Sequence, residues 1–366
     1  MDNLSRIKIK GFKSIKELDL EIKPINVLIG ANGSGKSNFI SVFRLLENIY
    51  NQRLQVYINN SAESFLHFGS QVTEEIIVEL ILAESDSYAN RYYVRLNKKY
   101  EDDSLLLAYD DASFHNKQYS KPYDEKITSN SLESNIKNSS SNTINASKKY
   151  LNQCKLYHFH DTSEKARFKS YQDIELNKFL DSFASNLAPF LFRLKQEFND
   201  DYQNIVQAVQ TVAPYFQDFD FSVKNEKIIL RWQHTNDLSN LGFSAQTLSD
   251  GTARFICMAT LFLQPKDMRP ATIVLDEPEI GLHPAALVVL SEIIRTVAND
   301  GSQVIISTQS VTLANCFKPD DFIVVDYADG VSNFRRLDDK DQLDLWLKDY
   351  QMGDIWNKNL LGGRPW

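Results

Sequence analysis

The first fifty residues change from an alternating to a helical pattern of apolar side chains. Residues 6–10 and 17–22 alternate polar with apolar positions, which predicts two half-buried strands. Residues 25–29 are continuously apolar, which is typical of a strand buried on both faces. From residue 38 to about residue 50 the apolar positions recur at helical spacing. The pattern therefore predicts three strands, a loop and a helix, in that order.

Strand patterns continue after this helix and then stop. Residues 74–83, 91–96 and 104–109 predict three strands separated by Asp and Asn turns, and so an antiparallel meander. Residues 129–147 are dominated by Ser and Asn, with almost no aliphatic side chains. Such a stretch buries too little apolar surface to offset its ordering entropy, so we expect a mobile surface segment there.

Helical and strand patterns alternate in the rest of the chain, as in an α/β protein. They predict strands at 154–160, 272–277 and 303–310, and helices at 174–187, from 189 towards 212, at 252–262 and at 291–298. Two further runs, at 219–223 and 227–232, predict a hairpin that turns at Asn225 and Glu226.

Composition and charge narrow the function classes. The 366 residues are 43% hydrophobic and 24% charged, with a net charge of −8, so the surface is not basic all over as in many nucleic-acid-binding proteins. A local lysine patch near the N-terminus could still contact DNA, although a solvated sheet face explains it as well. No apolar run reaches the length of a membrane span, and the start lacks the apolar core of a signal peptide. Three scattered cysteines fit a reducing cytoplasm, where we expect the protein, and predict no disulfide scaffold or zinc site.

One stretch after the third predicted strand carries a phosphate-binding pattern. Residues 30–37 read G-A-N-G-S-G-K-S, which fits G-x-x-x-x-G-K-S between a strand and a helix. Its glycines let backbone N–H groups point at phosphate oxygens, and the helix N-terminus adds partial positive charge. We expect Lys36 to reach the β- and γ-phosphates of ATP, and the Ser37 hydroxyl to bind Mg²⁺. The predicted nucleotide-binding residues of this loop are Asn32, Gly33, Ser34, Gly35, Lys36, Ser37 and Asn38.

Two carboxylates end the apolar strand predicted at 272–277. Asp276 is placed to hold Mg²⁺ through water, and Glu277 to polarise a water that attacks the γ-phosphate. Such a pair can also be ordinary turn residues, but Pro278 and the G-L-H-P that follows favour the chemical interpretation. The next predicted strand ends in a polar tip that includes Gln309, at the edge where open α/β sheets bind ligands.

A third motif, L-S-D-G-T, precedes the helix predicted at 252–262. Ser249 and Gly251 offer a hydroxyl and open backbone amides to an anion at a helix start. This motif alone indicates no more than a helix N-cap.

Taken together, five motifs in order resemble an ABC-type ATPase of the SMC/RecF-like branch. They are G-A-N-G-S-G-K-S, L-S-D-G-T, I-V-L-D-E-P, G-L-H-P and I-I-S-T-Q-S, and the opening G-F-K-S-I also matches. The resemblance implies a P-loop α/β fold: an ABC-type head with a mixed sheet, an antiparallel β subdomain and an inserted, mainly helical segment. We expect residues 1–110 and 241–330 to form the two halves of the head, 111–240 the insertion, and 331–366 a C-terminal tail.

More loosely, the Y-H-F-H-D-T-S stretch and the M-G-D-I-W…G-G tail resemble prokaryotic predicted AAA-type ATPases. These are related to the ATPase part of overcoming-lysogenization-defect-type proteins. The sequence after Ser310 is too short for the nuclease domain of those relatives, so we expect none here. His158 and His160 alternate on a predicted strand, and we interpret them as a satisfied pair rather than a metal site.

The resemblance also implies a mechanism. Two heads would meet head to tail around two ATP molecules, each bound by one P-loop and capped by Ser249 and Gly251 of the other chain. Glu277 would be the general base. Gln309 stands where many ABC proteins have a histidine, so hydrolysis can be slow or need a partner. Gln71 is our candidate for the glutamine that completes the Mg²⁺ site, with a polar turn residue as the alternative.

These expectations favour an ATPase that switches a homodimer or larger assembly and controls a separate effector. The effector would be a nuclease or toxin, with a role in prokaryotic anti-phage defence and no membrane partner. One alternative is a DNA-repair or recombination factor whose ATP-closed dimer clamps DNA. Another is a nucleotide-gated scaffold with little turnover.

Overall fold

The computed structural model describes residues 3–99, 101–238, 241–337, 343 and 346–363. Up to the middle of the chain its elements are β1 Leu4–Phe12, β2 Ile15–Glu21, β3 Ile25–Gly30, α1 Lys36–Tyr50, α2 Leu54–Ile58, β4 Glu75–Leu82, β5 Tyr88–Lys99, β6 Ser104–Asn116, β7 Tyr123–Ser131, α3 Asn142–Gln153, β8 Cys154–Tyr157 and β9 Gln172–Asp173. They are followed by α4 Leu187–Glu197, α5 Asn199–Val212, β10 Phe216–Lys224, β11 Lys227–His234, β12 Phe243–Ser244, α6 Asp250–Leu263, β13 Thr272–Asp276, α7 Pro284–Asn299, β14 Gln303–Thr308, α8 Val311–Ala314, β15 Phe322–Ala328, β16 Val331–Arg336 and α9 Met352–Asn357.

A mixed sheet with the order β16-β15-β3-β14-β13-β8 lies at the centre of the fold. All neighbouring pairs from β15 to β8 are parallel, and β16 is antiparallel at the edge. Strands β3 and β14 are buried along their whole length, as expected for a parallel sheet covered on both faces. The carboxyl ends of β3, β14, β13 and β8 therefore meet at one edge, where the predicted motifs follow.

Two cores lie on the two faces of this sheet. Val27 and Ile29 point into a core shared with α5, α6 and α7, while Leu28 points into a core shared with α1 and the second sheet. That second sheet is antiparallel, with the order β2-β1-β4-β5-β6-β7, and β4 alternates half-buried and buried residues along its length. The predicted mixed sheet and antiparallel subdomain are both confirmed.

The Ser/Asn-rich stretch at 129–147 is more regular than predicted. It contains the end of β7 and the first half of α3, and the predicted boundary after residue 110 falls inside β6. The Ser141 hydroxyl caps α3 by accepting a hydrogen bond from the backbone N–H of Ile144, at 3.1 Å. Ile136 and Ile144 are buried in the core beside α1. Two apolar anchors and local capping thus give regular elements to this stretch, and its mobility stays a prediction.

The helix predicted at 174–187 does not form. The Asp181 carboxylate accepts hydrogen bonds from the backbone N–H groups of Phe183 (2.7 Å) and Ser185 (3.0 Å). The Asn186 side chain accepts one from the N–H of Asp181 (2.9 Å) and donates to two upstream carbonyls. These side chains bond the backbone in place of helical partners, which overrides the apolar spacing.

The helix predicted from residue 189 and the predicted hairpin at 219–232 are both present in the structure. The helix predicted from residue 189 is present as two helices, α4 and α5, which meet at Phe198. The predicted hairpin is β10–β11, with Asn225 and Glu226 both in the left-handed conformation that a tight hairpin turn needs. In the part of the chain that the model describes, no helix is long and apolar enough to cross a bilayer.

Candidate functional site

The loop between β3 and α1 has the shape of an anion cradle. Gly33 and Gly35 have φ values of 78° and 111°, in the left-handed region that glycine adopts without strain. A Cβ at Gly35 would lie 2.0 Å from the Ser332 hydroxyl oxygen, so no other residue fits there. The Lys36 Nζ curls back over the loop and donates to the carbonyl oxygens of Gly30 (2.6 Å) and Ala31 (2.8 Å).

The Lys36 ammonium group is a buried charge. It is only 4% exposed, and this burial lowers the pKa of its amine. The carboxylates of Glu277, Asp276 and Glu279 act in the opposite direction. A buried ammonium group that donates to loop carbonyls is well suited to pair with phosphate oxygens instead.

The helix that follows the loop is tied to the N-terminal strands and to β16. The Asn38 amide donates to the Ser14 hydroxyl at 2.7 Å, and the hydroxyls of Ser14 and Ser332 are 2.6 Å apart. Ser37 is exposed, so its hydroxyl is accessible to a ligand. Ser34 is buried, and its hydroxyl has no hydrogen-bond partner among the described residues.

The predicted carboxylates lie at the end of β13. Strand β14 lies between β13 and β3, the strand that leads into the phosphate-binding loop. The Ser307 hydroxyl, at the end of β14, donates to the Asp276 carboxylate. Glu277 has a φ of 48°, a left-handed conformation that costs a non-glycine residue about 1 kcal/mol. This turn lets the Glu277 N–H donate to the Ser307 carbonyl at 3.0 Å. The side-chain amide of Gln309 donates to the Glu277 carboxylate, so the structure brings these residues together.

A second glutamate holds the loop that carries Gln309. The Glu279 carboxylate accepts a hydrogen bond from the backbone N–H of Gln309 at 2.8 Å, and burial raises the pKa of Glu279. Its other carboxylate oxygen has no partner within the described residues. Our sequence reasoning missed Glu279, although the second acidic residue of D-E-P-E was a usable signal.

The L-S-D-G-T motif begins α6 and packs against the loop after β13. Ser249 caps the helix by accepting from the Thr252 N–H at 3.2 Å. A Cβ at Gly251 would lie 2.4 Å from the Gly281 carbonyl oxygen, so glycine allows this close approach. Arg254 donates to the Ile280 carbonyl at 2.8 Å from the same side. The helix start is thereby fixed to the loop after Glu277, while Ser249 itself is exposed.

A comparison with known families identifies this arrangement. The family model described as "AAA domain, putative AbiEii toxin, Type IV TA system" matches residues 25–315, which is most of the chain. The match includes the phosphate-binding loop, the α6 motif, both carboxylates and Gln309. The chain belongs to this AAA family. No curated protein sequence matches it.

Solved structures with the same fold include Smc heads. The Smc head bound to the C-winged helix domain of ScpA matches with a TM-score of 0.59 at 14% identity, over 91% of this chain and 98% of that one. The Smc head with an extended coiled coil, bound to the C-terminal domain of ScpA from Pyrococcus furiosus, matches with a TM-score of 0.56 at 12% identity, over 95% and 99%. This AAA protein therefore has the architecture of an SMC-type ATPase head, as predicted.

Two histidines of this AAA protein, His158 and His160, follow the strand next to β13 and lie near the site. Strand β8 runs parallel to β13 with Tyr157 beside Leu275, so the residues after β8 emerge at the edge that carries Asp276. His160 lines a narrow cleft together with Asp276 and Glu277. Burial, with help from the adjacent Arg44 guanidinium, lowers the pKa of His158 to about 4, so this ring is neutral at pH 7.

The structure gives no support to a separate metal cluster at these histidines. The described ranges contain no group of three or more His, Cys, Asp and Glu side chains that could hold a metal ion. Gln71, the predicted Mg²⁺ ligand, is exposed in the turn before β4. None of its described contacts connects it to Asp276, and its role stays a prediction.

Glu279 gives the first testable prediction. We expect Glu279→Ala to slow the nucleotide hydrolysis that is proposed below about tenfold, because the N–H of Gln309 loses a charged partner and the Gln309 amide no longer holds Glu277 in place. Glu279→Gln keeps an acceptor for that N–H and should retain most of the rate. Steady-state phosphate release from both variants measures the difference. Equal rates for the two would rule out this positioning role.

Proposed function

We propose that this protein binds ATP with Mg²⁺ on the 30–37 loop and hydrolyses it with Glu277 as the general base. The observation that carries the proposal is the position of the Glu277 carboxylate. It is fixed by a left-handed backbone and by the Gln309 amide at the sheet edge that also carries the phosphate-binding loop. A carboxylate positioned there can take a proton from a water that attacks the γ-phosphate.

The groups available for Mg²⁺ fit the ion. Ser37 offers an accessible hydroxyl and Asp276 a carboxylate, and Mg²⁺ prefers oxygen ligands of these kinds. Bound there, the ion would neutralise charge between the β- and γ-phosphates. Lys36 would exchange its contacts with loop carbonyls for phosphate oxygens, and the Asp276–Ser307 hydrogen bond would keep the carboxylate oriented.

We further propose that each site is completed by a second copy of the chain. Ser249 is exposed at the start of α6, and its described contacts are with its own helix, not with the 30–37 loop of the same chain. Ser249 and Gly251 would then cap the ATP of a partner head. In the chain that supplies the cap, Gly251 packs against Gly281. This contact would link the cap to the loop that follows Glu277 of that same chain.

Mixing two inactive variants tests this arrangement. Ser249→Arg and Lys36→Ala should each abolish hydrolysis, while an equal mixture should recover hydrolysis at up to about half of the normal rate. Neither variant can close a dimer with a copy of itself, whereas a mixed dimer contains one intact composite site of two. Ser120→Arg, at an exposed turn between β6 and β7, is the matched control and should remain active. A mixture as inactive as its components would contradict the shared site.

The output of the cycle is proposed to be control of a separate effector, such as a nuclease or toxin, in anti-phage defence. Support comes from the family description, which names a toxin of a type IV TA system, and from the Smc heads, whose structures contain a bound ScpA domain. Copurification from cells with and without the Glu277→Gln substitution would test for such an effector. Recovery of no stoichiometric partner in either state would count against it.

A DNA clamp receives less support from the lysines near the N-terminus. Lys8 pairs with Glu79 at 3.5 Å and Lys10 with Glu75 at 3.7 Å, so their charges are compensated on the sheet. Lys13 is partly buried and donates to Ser41 at 3.1 Å. A steep salt dependence of ATP-stimulated duplex binding would favour the clamp nonetheless.

A further inference from the structure

The segment at 346–363 returns from the C-terminal side to the start of the phosphate-binding loop. Gly363 donates its backbone N–H to the Asp326 carboxylate, and a Cβ added at Gly363 would lie 3.3 Å from the Gly30 Cα. The Arg335 guanidinium, on β16, donates to the Leu361 carbonyl. These contacts hold the end of the segment against β15 and Gly30.

The other end of the segment packs against the loop that carries Gln309. The Gly353 N–H donates to the Asn315 side chain at 2.7 Å, just after α8. A Cβ at Gly353 would lie 2.3 Å from the Val311 carbonyl oxygen, so α9 and α8 touch backbone to backbone. The 346–363 segment thus contacts both the start of the phosphate-binding loop and the helix that follows Gln309.

A cavity of about 200 Å³ lies between these three elements. The phosphate-binding loop, the residues from Gln309 to α8, and α9 supply its lining. The lining residues are Gly30, Ala31, Asn32, Gln309, Val311, Trp356 and Asn357. Gln309, which lines this cavity, also donates to the carboxylate of Glu277, the proposed general base. Trp356 is 7% exposed, and its indole N–H has no hydrogen-bond partner among the described residues.

We propose that the 346–363 segment is a third wall of the nucleotide site, in which Trp356 and Asn357 make the site distinguish nucleoside triphosphate from diphosphate. This inference rests on the proposed function. A γ-phosphate would contact Lys36 and Gln309. Any resulting movement of Gln309, or of Asn32 in the phosphate-binding loop, would change the cavity that these two residues line together with Trp356 and Asn357. A diphosphate leaves that side of the loop without a ligand. The segment therefore favours the triphosphate-bound arrangement.

Tryptophan emission tests the proposal directly, in full-length Glu277→Gln protein so that ATP is not consumed. Trp346→Phe is the matched control, because Trp346 is 41% exposed, packs beside Tyr350 and does not line the cavity. We expect ATP-Mg²⁺, but not ADP-Mg²⁺, to change the emission of the Trp346→Phe protein. Trp356→Phe should abolish that change and lower the preference for ATP over ADP about tenfold, with ADP affinity unchanged.

Asn357→Ala, at an exposed position, provides a second variant in case Trp356→Phe does not fold. It should also reduce the ATP preference, measured by equilibrium dialysis with both nucleotides. If parent and variants all fail to bind ATP, the proposed function itself is wrong. Three results together would show that the segment is not a third wall while the proposed function stands. They are that ATP binds, that both cavity variants keep the parent's preference for ATP over ADP, and that the Trp356→Phe protein keeps its emission change.

Discussion

Replacing Glu277 with glutamine is expected to slow ATP hydrolysis by about 10²- to 10⁴-fold, the usual contribution of a positioned general base. Glutamine has the same shape and can still hydrogen-bond Gln309, but it cannot accept a proton from water. ATP binding should persist, because the phosphate contacts assigned to the 30–37 loop do not involve this side chain. Single-turnover phosphate release and equilibrium binding of ATP separate the two effects.

The control for this variant is Glu292→Gln, which neutralises an exposed carboxylate on α7 that pairs with Arg295. It should hydrolyse ATP at the normal rate. Phosphate release and ATP binding also test the alternative of a nucleotide-gated scaffold with little turnover. The argument for that alternative is Gln309, which stands where many ABC proteins have a histidine. If the unmodified protein releases phosphate no faster than Glu277→Gln while both bind ATP, Glu277 is not a base and the scaffold becomes the better account.

Lys36→Ala is expected to abolish ATP binding at concentrations that saturate the unmodified protein. Lys36 is the buried cation of the phosphate-binding loop, and loss of one such charged donor lowers catalysis by about 10²- to 10³-fold even where substrate still binds. Among the described residues the buried amine donates to two loop carbonyls, so its removal should not prevent folding. Equilibrium dialysis with ATP, together with a thermal unfolding curve, measures binding and folding separately.

Lys16→Ala is the matched control, since Lys16 is exposed on β2. It should bind ATP normally. A Lys36→Ala protein that folds and binds ATP with unchanged affinity would show that the 30–37 loop is not the nucleotide site.

The sequence predicted those parts of the fold in which local pattern and tertiary packing agree. Alternation in β1 and β2, the apolar run of β3 and the Asn225-Glu226 turn each have one structural solution. Where side chains bond the backbone locally, the pattern misled us. Asp181 and Asn186 prevent a helix at 174–187, and the Ser141 cap starts one in a stretch with almost no aliphatic residues.

The candidate site shows the same division. Motif spacing predicted Lys36, Asp276 and Glu277, because each lies at or after the carboxyl end of a strand that reaches the ligand edge. It could not predict Glu279 or the proximity of His160, which depend on which strands become neighbours. Nor could it place Trp356 and Ala31 at the same cavity, because the proximity of positions so far apart in the chain is visible only in the folded structure.

The mass of the Glu277→Gln protein in solution, measured by light scattering on a sizing column with and without ATP-Mg²⁺, tests the central claim most directly. The account predicts a monomer without nucleotide and a dimer with it, because bound ATP joins the loop of one head to Ser249 and Gly251 of the other. Lys36→Ala in the same background should stay monomeric. A mass that is the same with and without ATP-Mg²⁺, in a protein shown to bind ATP, would contradict closure of the dimer by nucleotide.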